Sequence, residues 1–328
     1  MQSMEHNPNG VLSLLCRRFG TNTLIPYDAY IEAVLYDPAF GYYRSSSDRV
    51  GYQPKSDFYT ASSLGNVFAK LVSAACQKLL PNDPLDYHFI EIGTEPSGGI
   101  FNQHDHPFAA YTTLPVGQPL SIQGPAVVFS NELFDAQPFR RFIVHQGQWR
   151  ERGVLIAEDT LQEALLPPES PLPTLPEPLT EGYQLDWPSG SNQLIEALAA
   201  QPWTGLFLAF DYGLSDHELL HLRPQGTART YRNHQLETNL LAHPGHIDIT
   251  HHISWDGLTN ALLQNHFAPP SLQNQEAFFM HNAIDAIAPI LTTQPGQFSK
   301  EKQTLKELLH PENMGQKFQA LHALRHSI

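Results

Sequence analysis

"VVFSNELFDAQPFRRF", residues 127–142, changes character within three positions, and its reading decides the fold. Val127, Val128 and Phe129 form an apolar run, and Ser130, Asn131, Glu132 and Asp135 follow at once. Interior strands of a parallel sheet read as continuous apolar runs because both faces are covered, and ligands of open α/β sheets bind beyond the carboxyl ends of the strands. The stretch therefore predicts a buried strand that runs out at the rim of a ligand crevice. Asn131, Glu132 and Asp135 could hold a ligand amine there by charge-assisted hydrogen bonds. The other reading is that Asn131 or Asp135 caps the next turn or helix.

Two more segments repeat the pattern. "DYHFIEIG" (86–93) is a strand that runs into glycine, and "GLFLAFDYG" (205–213) is an apolar strand that ends in Asp211, Tyr212 and Gly213. Helical segments alternate with these strands. Residues 11–20 read as a helix stopped by Gly20, and a second follows Pro26 and ends at Asp37-Pro38, since the residue before proline is disfavoured in the α region. Apolar residues at 64, 67, 68, 71, 72, 75, 79 and 80 predict a third helix. A short helix is expected over 191–200, and tail helices over 273–290 and 300–326. Phe139–His145 and Trp149–Ile156 read as a hairpin. The six prolines of 167–178 predict an extended surface loop. Alternation of strands and helices favours a mostly parallel α/β sheet. The expected organisation is a helical segment over 1–85, a core over 86–265 and a helical segment over 266–328.

With 328 residues, 41% hydrophobic and 16% charged, the chain can bury a substantial core. Its formal charge of −14 argues against a general nucleic-acid surface, which needs clustered Lys and Arg. A basic peptide or protein is the more compatible partner. No apolar stretch reaches about 18 residues, so no membrane span is expected. The start has neither a basic region nor an apolar core, and a cytoplasmic location is the expectation. Two cysteines, Cys16 and Cys76, suit buried thiols and not a disulfide framework.

Three further stretches bear on chemistry. In "FIEIGTEPSGGI" (89–100), a strand leading into glycines can bring a backbone turn close to a cofactor. Glu95 in that turn disfavours a pyrophosphate and leaves room for a cofactor without phosphates. In "KSDFYTAS" (55–62), Asp57 is either a substrate contact or part of a helix start capped by Ser62 or Ser63. In 226–255, His243, His246, His251 and His252 fall close together, but no paired Cys/His spacing accompanies them, so no metal is expected. Solvated or locally hydrogen-bonded histidines are the better reading.

These residues together resemble one family, the MidA-type SAM-dependent methyltransferases, relatives of the mitochondrial complex I assembly factor that methylates an arginine. The resemblance runs from about residue 26 to 322: "YIEAVLYDPAFGYY", "SDFYTASSLGNVFAKL", "SNELFDAQPFRRF", "FDYG", "GTARTYRNH", "PGHIDITHHISW" and "HPENMGQKFQAL" occur in the family's order. Ser56 replaces a family glycine, and Leu133 a family aromatic.

The resemblance implies a Rossmann-like methyltransferase sheet with extra N- and C-terminal helical elements, and S-adenosyl-L-methionine as cofactor. It implies that Glu91, Gly93, Gly98, Gly99 and Asn131 frame that cofactor. Glu132 and Asp135 would orient a protein side chain, possibly an arginine, with Asp57 and Tyr212 as secondary catalytic residues. The chain departs from the family at the cofactor turn, where Glu95 and Ser97 take the places of two glycines. Only 40 positions lead from Glu91 to Asn131, too few for the family's helix–strand–helix. No acidic residue there answers to the one expected on the ribose hydroxyls. The competing expectation is a non-catalytic relative that keeps a protein-binding surface and acts in assembly or as a scaffold.

Overall fold

Apolar runs without alternation become the centre of a six-stranded sheet. The computed structural model describes residues 8–44, 65–94, 98–102, 104–168, 172–177, 180–232, 235–292 and 299–326. The chain divides into two units. One, the sheet unit, comprises Asp48–Leu133, Leu194–Gly213 and Trp255–Ile328; the other, the hairpin unit, comprises Met1–Ser47, Phe134–Gln193 and Leu214–Ser254.

The strands of the sheet unit are β1 (His88–Thr94), β2 (Ala110–Pro115), β3 (Gly124–Asn131), β4 (Trp203–Asp211), β5 (Ser271–Asn274) and β6 (Gln319–Arg325). Their spatial order is β5-β6-β4-β3-β1-β2. The pairs β1–β2, β1–β3 and β3–β4 are parallel, while β6 lies antiparallel between β4 and β5. Ala126, Val127, Val128 and Phe129 on β3 and Leu206 to Phe210 on β4 are buried, as an interior strand pair requires. Helix α1 (Asn66–Leu79) supplies Phe68, whose ring meets Phe129, Phe210 and Phe279 at 6.3, 5.6 and 6.0 Å. The mixed α/β architecture is the one expected from the sequence.

Two segments differ from the sequence reading. The interval after Glu91 contains a strand after all, β2, reached through turns with no helix among its described residues. Phe101 and Phe108 cover that part of the sheet instead, their rings 4.9 and 4.8 Å from Phe89. Fewer residues are needed because an aromatic cluster buries much area per residue. The tail is not helical to 326. The helix Lys300–Leu309 stops before Pro311, and residues 319–325 form β6, with Ala320, Leu321 and Ala323 buried. Pro311 lacks an N–H and disfavours the α region for the residue before it, and His310 is extended (ψ 131°), so the helix ends there. The helix expected over 273–290 is likewise divided, into β5 and the helices Gln275–Asn282 and Ile284–Thr292.

The hairpin unit carries an antiparallel five-stranded sheet built from Thr23–Pro26, Arg140–His145, Gln148–Ile156, Leu161–Leu165 and Gln184–Trp187. The expected hairpin is present, with Val144 opposite Trp149. Of the proline-rich stretch, residues 172–177 are irregular, and Leu172 is exposed. That stretch is nonetheless fastened: the Trp149 indole donates to the Pro176 carbonyl at 2.8 Å, and Leu175 packs on the cluster of Phe142, Trp149 and Tyr183. Among the described residues no helix is long and apolar enough to cross a membrane.

Candidate functional site at the carboxyl edge of the sheet

The register aligns the carboxyl ends of three strands: Ile92 on β1 pairs with Ser130 on β3, which pairs with Ala209 on β4. Asn131 follows opposite Phe210, and the Glu132 N–H donates to the Phe210 carbonyl at 2.9 Å. That bond extends the ladder one residue while the Glu132 backbone turns to φ +50°, a left-handed conformation uncommon for a residue with a Cβ. The carboxylate is held at both oxygens. Asn131 Nδ2 donates to Oε1 at 3.0 Å, and the Tyr212 hydroxyl donates to Oε2 at 3.0 Å. Asn131, Glu132 and Tyr212 thus form one hydrogen-bonded chain across two adjacent strand ends.

Beside this chain, three buried oxygens have no hydrogen-bond partner among the described residues: Thr94 Oγ1 at the end of β1, and Ser130 Oγ and Asn131 Oδ1 at the end of β3. Buried polar atoms are ordinarily paired, so three together along one sheet edge call for a ligand or water.

Glu91 sits one residue before this edge and is turned inward. Its Oε2 accepts from the Ile100 N–H at 2.9 Å and from the Tyr111 hydroxyl on β2 at 2.5 Å. Burial pushes its carboxyl above the usual range, while the two donors pull it back. Tyr111 is pushed up by burial and by the Glu91 charge. Gly99 is required by this arrangement, because a Cβ there would collide with the Tyr111 hydroxyl and Glu91 Oε2. Gly98 has φ +108° and would meet the Asn102 amide, and Gly93 has φ +77° with Leu133 Cδ1 2.5 Å from where a Cβ would stand. Only glycine takes these positions without strain. The second strand, β2, ends in Leu114 and Pro115 and brings no carboxylate to the edge.

Asp135 belongs to the hairpin unit, where its carbonyl accepts twice from His251, from the backbone N–H at 3.1 Å and from Nδ1 at 2.8 Å. A carbonyl only accepts, so Nδ1 carries the proton and Nε2 is a bare acceptor, buried with no partner among the described residues. Burial pushes the His251 imidazole down to about 4, and burial with the nearby Arg229 charge pushes His252 down to about 3. His252 is half-buried beside Arg229, while His251 is fully buried and hydrogen-bonded, not solvated. Its ordinary sequence context hid this, since nothing local separates a buried histidine from an exposed one. No group of three metal-ligating side chains occurs among the described residues. Asp57 lies outside the described residues. Of the site residues expected from the sequence, the fold therefore joins Asn131, Glu132 and Tyr212, joins Glu91 to Gly99, and leaves Asp135 in the other unit. Phe318, whose ring lies 4.3 Å from that of Tyr212, was not foreseen, because its segment reads as helix.

Comparison with known proteins bears on the family and the fold. The family described as "Putative S-adenosyl-L-methionine-dependent methyltransferase" matches residues 76–270. A COG1565 superfamily member from Burkholderia thailandensis, described as a "likely methyl transferase" and bound to S-adenosyl-homocysteine, has a similar structure. Its TM-score is 0.80 at 22% identity, over 97% of this chain and 92% of that one. A native COG1565 superfamily structure from the same organism gives a TM-score of 0.77 at 23% identity, with coverage of 97% and 92%. At such identities the likeness is one of fold. No curated protein matches the chain in sequence.

Proposed function

From the premise that this chain belongs to that family of S-adenosyl-L-methionine-dependent methyltransferases, we propose that it methylates a nitrogen on a protein side chain, arginine first. The observation that carries this reading is the Asn131–Glu132–Tyr212 chain at the carboxyl edge. A carboxylate held in place by a donor on each oxygen at a strand end suits a cationic, multiply donating head group such as a guanidinium. A net charge of −14 supports a basic segment as the acceptor.

The residues present fit the cofactor in one respect that can be checked. Asn131 Oδ1, Ser130 Oγ and Thr94 Oγ1 are buried oxygens in need of partners, and the ammonium and hydroxyl groups of the cofactor could supply them. Those three residues and the Gly93 turn would hold it, with Glu91 bracing the turn through Ile100. When bound, the cofactor supplies an electrophilic methyl group on a sulfonium. Glu132 orients the acceptor nitrogen, since methyl transfer depends chiefly on alignment, and takes up the proton that the nitrogen releases.

Calorimetric titration with S-adenosyl-homocysteine tests the first half. Binding at about micromolar levels is expected, and Gly93→Asp abolishes it. Transfer of radiolabelled methyl groups to arginine-containing and lysine-containing basic peptides tests the second. Wild-type transfer by Glu132→Gln would sink the proposed role of this carboxylate. Absence of cofactor binding even at millimolar concentration would favour the assembly or scaffold reading.

A further inference from the structure

The hydroxyl of Tyr212 reaches Glu132 only while its ring keeps one orientation, and the tyrosine's own backbone does not set that orientation. Rotation about either side-chain torsion would swing the hydroxyl off the carboxylate. The ring lies against Phe318, with centroids 4.3 Å apart and planes inclined by 38°. Phe318 is buried, and its backbone is fastened at both its N–H and its carbonyl. Its N–H donates to the Met314 carbonyl at 3.1 Å, and its carbonyl accepts from the Gln275 N–H at 3.0 Å. The next residue, Gln319, accepts from the Trp255 indole at 2.6 Å and stands opposite Asp211, the neighbour of Tyr212, in the β4–β6 ladder.

We propose that Phe318 is a positioning residue for the methyl-acceptor site, holding the Tyr212 ring so that its hydroxyl stays on Glu132. The inference rests on the reading of Glu132 given above and extends it to the far end of the chain. The segment that leads into β6 also sets the acceptor carboxylate, so the site is incomplete until β6 has paired with β4. A ring displaced by a fraction of a hydrogen-bond length loses the bond, and misplacement of a reacting group is costly to rate.

The test follows the tyrosine directly and does not depend on turnover. In protein labelled with [13Cζ]tyrosine, the Tyr212 resonance is assigned by its loss in Tyr212→Phe and shifts in Glu132→Gln. In Phe318→Leu, the resonance moves to the position it has in Glu132→Gln and no longer responds to that substitution. Phe318→Tyr, which keeps the ring, retains the wild-type signal. Phe318→Met, of similar volume, carries the same expectation as Phe318→Leu and serves if the latter does not fold. In parallel, Phe318→Leu lowers transfer to the peptide about tenfold, leaves S-adenosyl-homocysteine binding unchanged, and adds nothing to the loss in Glu132→Gln. An unaltered Tyr212 signal in both Phe318→Leu and Phe318→Met overturns the proposal. A lost coupling with unaltered transfer leaves Phe318 as the residue that orients Tyr212 and removes Glu132 from the acceptor site.

Discussion

Around Arg141 in the hairpin unit, buried charges use up one another's bonding capacity, whereas along the sheet edge of the other unit three buried oxygens stay unpartnered among the described residues. Arg141 donates to Asp186 through Nε and to Glu163 through Nη1, each at 2.8 Å. The second oxygen of Asp186 accepts from the N–H groups of Thr227 and Ala228 at 2.6 and 2.7 Å. Glu163 also accepts from Tyr27 and pairs with Arg152. Thr94, Ser130 and Asn131 in the sheet unit have nothing comparable for their buried oxygens among the described residues. A satisfied network specifies a fold, while an unsatisfied edge of polar atoms is an invitation to a ligand.

This contrast can be broken by mutation. Arg141→Ala strands Asp186 in the interior, so a loss of about 3–5 kcal/mol is expected in urea unfolding. Glu132→Gln is expected to act on turnover, lowering methyl transfer by about 100-fold, roughly 2.7 kcal/mol of transition-state stabilisation, with a smaller effect on the unfolding midpoint. If Glu132→Gln proved as destabilising as Arg141→Ala with turnover intact, the two regions would be alike and the distinction would fail.

The buried histidines sharpen the comparison through pH. His251 and His252 are depressed to about 4 and about 3 from an ordinary 6.5. The unfolded chain therefore takes up protons first. The stability tied to the neutral imidazoles is complete above about pH 6.5 and falls as pH drops towards 4, by up to about 1.4 kcal/mol per pH unit for each group. Urea midpoints measured between pH 8 and 4 should decline more gently in His251→Gln than in the wild type. The smallest effect belongs to Ser130→Ala. Removing an unpartnered hydroxyl should change stability by no more than about 0.5 kcal/mol, in either direction. It should also weaken S-adenosyl-homocysteine binding, read by the same titration. A large stability loss would mean that Ser130 is already satisfied within the fold.

Much of the sheet was legible because burial leaves a local mark. Val127 to Phe129 and Leu206 to Phe210 have no polar alternation, and a strand covered on both faces cannot tolerate one. The hairpin at 145–148 and the helix over Tyr27–Tyr36 carried equally local signals. Residues 319–325 carried a misleading one: Leu321 and Leu324 fit a helix as well as a strand, and pairing with β4 decides the matter. The strand β2 was hidden because none of its six residues is buried, and they lie among prolines and glycines.

By itself, the order of residue types determined an α/β chain with polar strand ends and the family resemblance, because those depend on neighbours in sequence. Only the tertiary structure decided which polar groups are spent and which remain available. Glu91 meets Tyr111 and Ile100, Glu132 meets Tyr212 from 80 positions away, and His251 spends its Nδ1 proton on Asp135. Hydrogen bonds act over about 3 Å, and such proximity between distant residues exists only once the strands have paired.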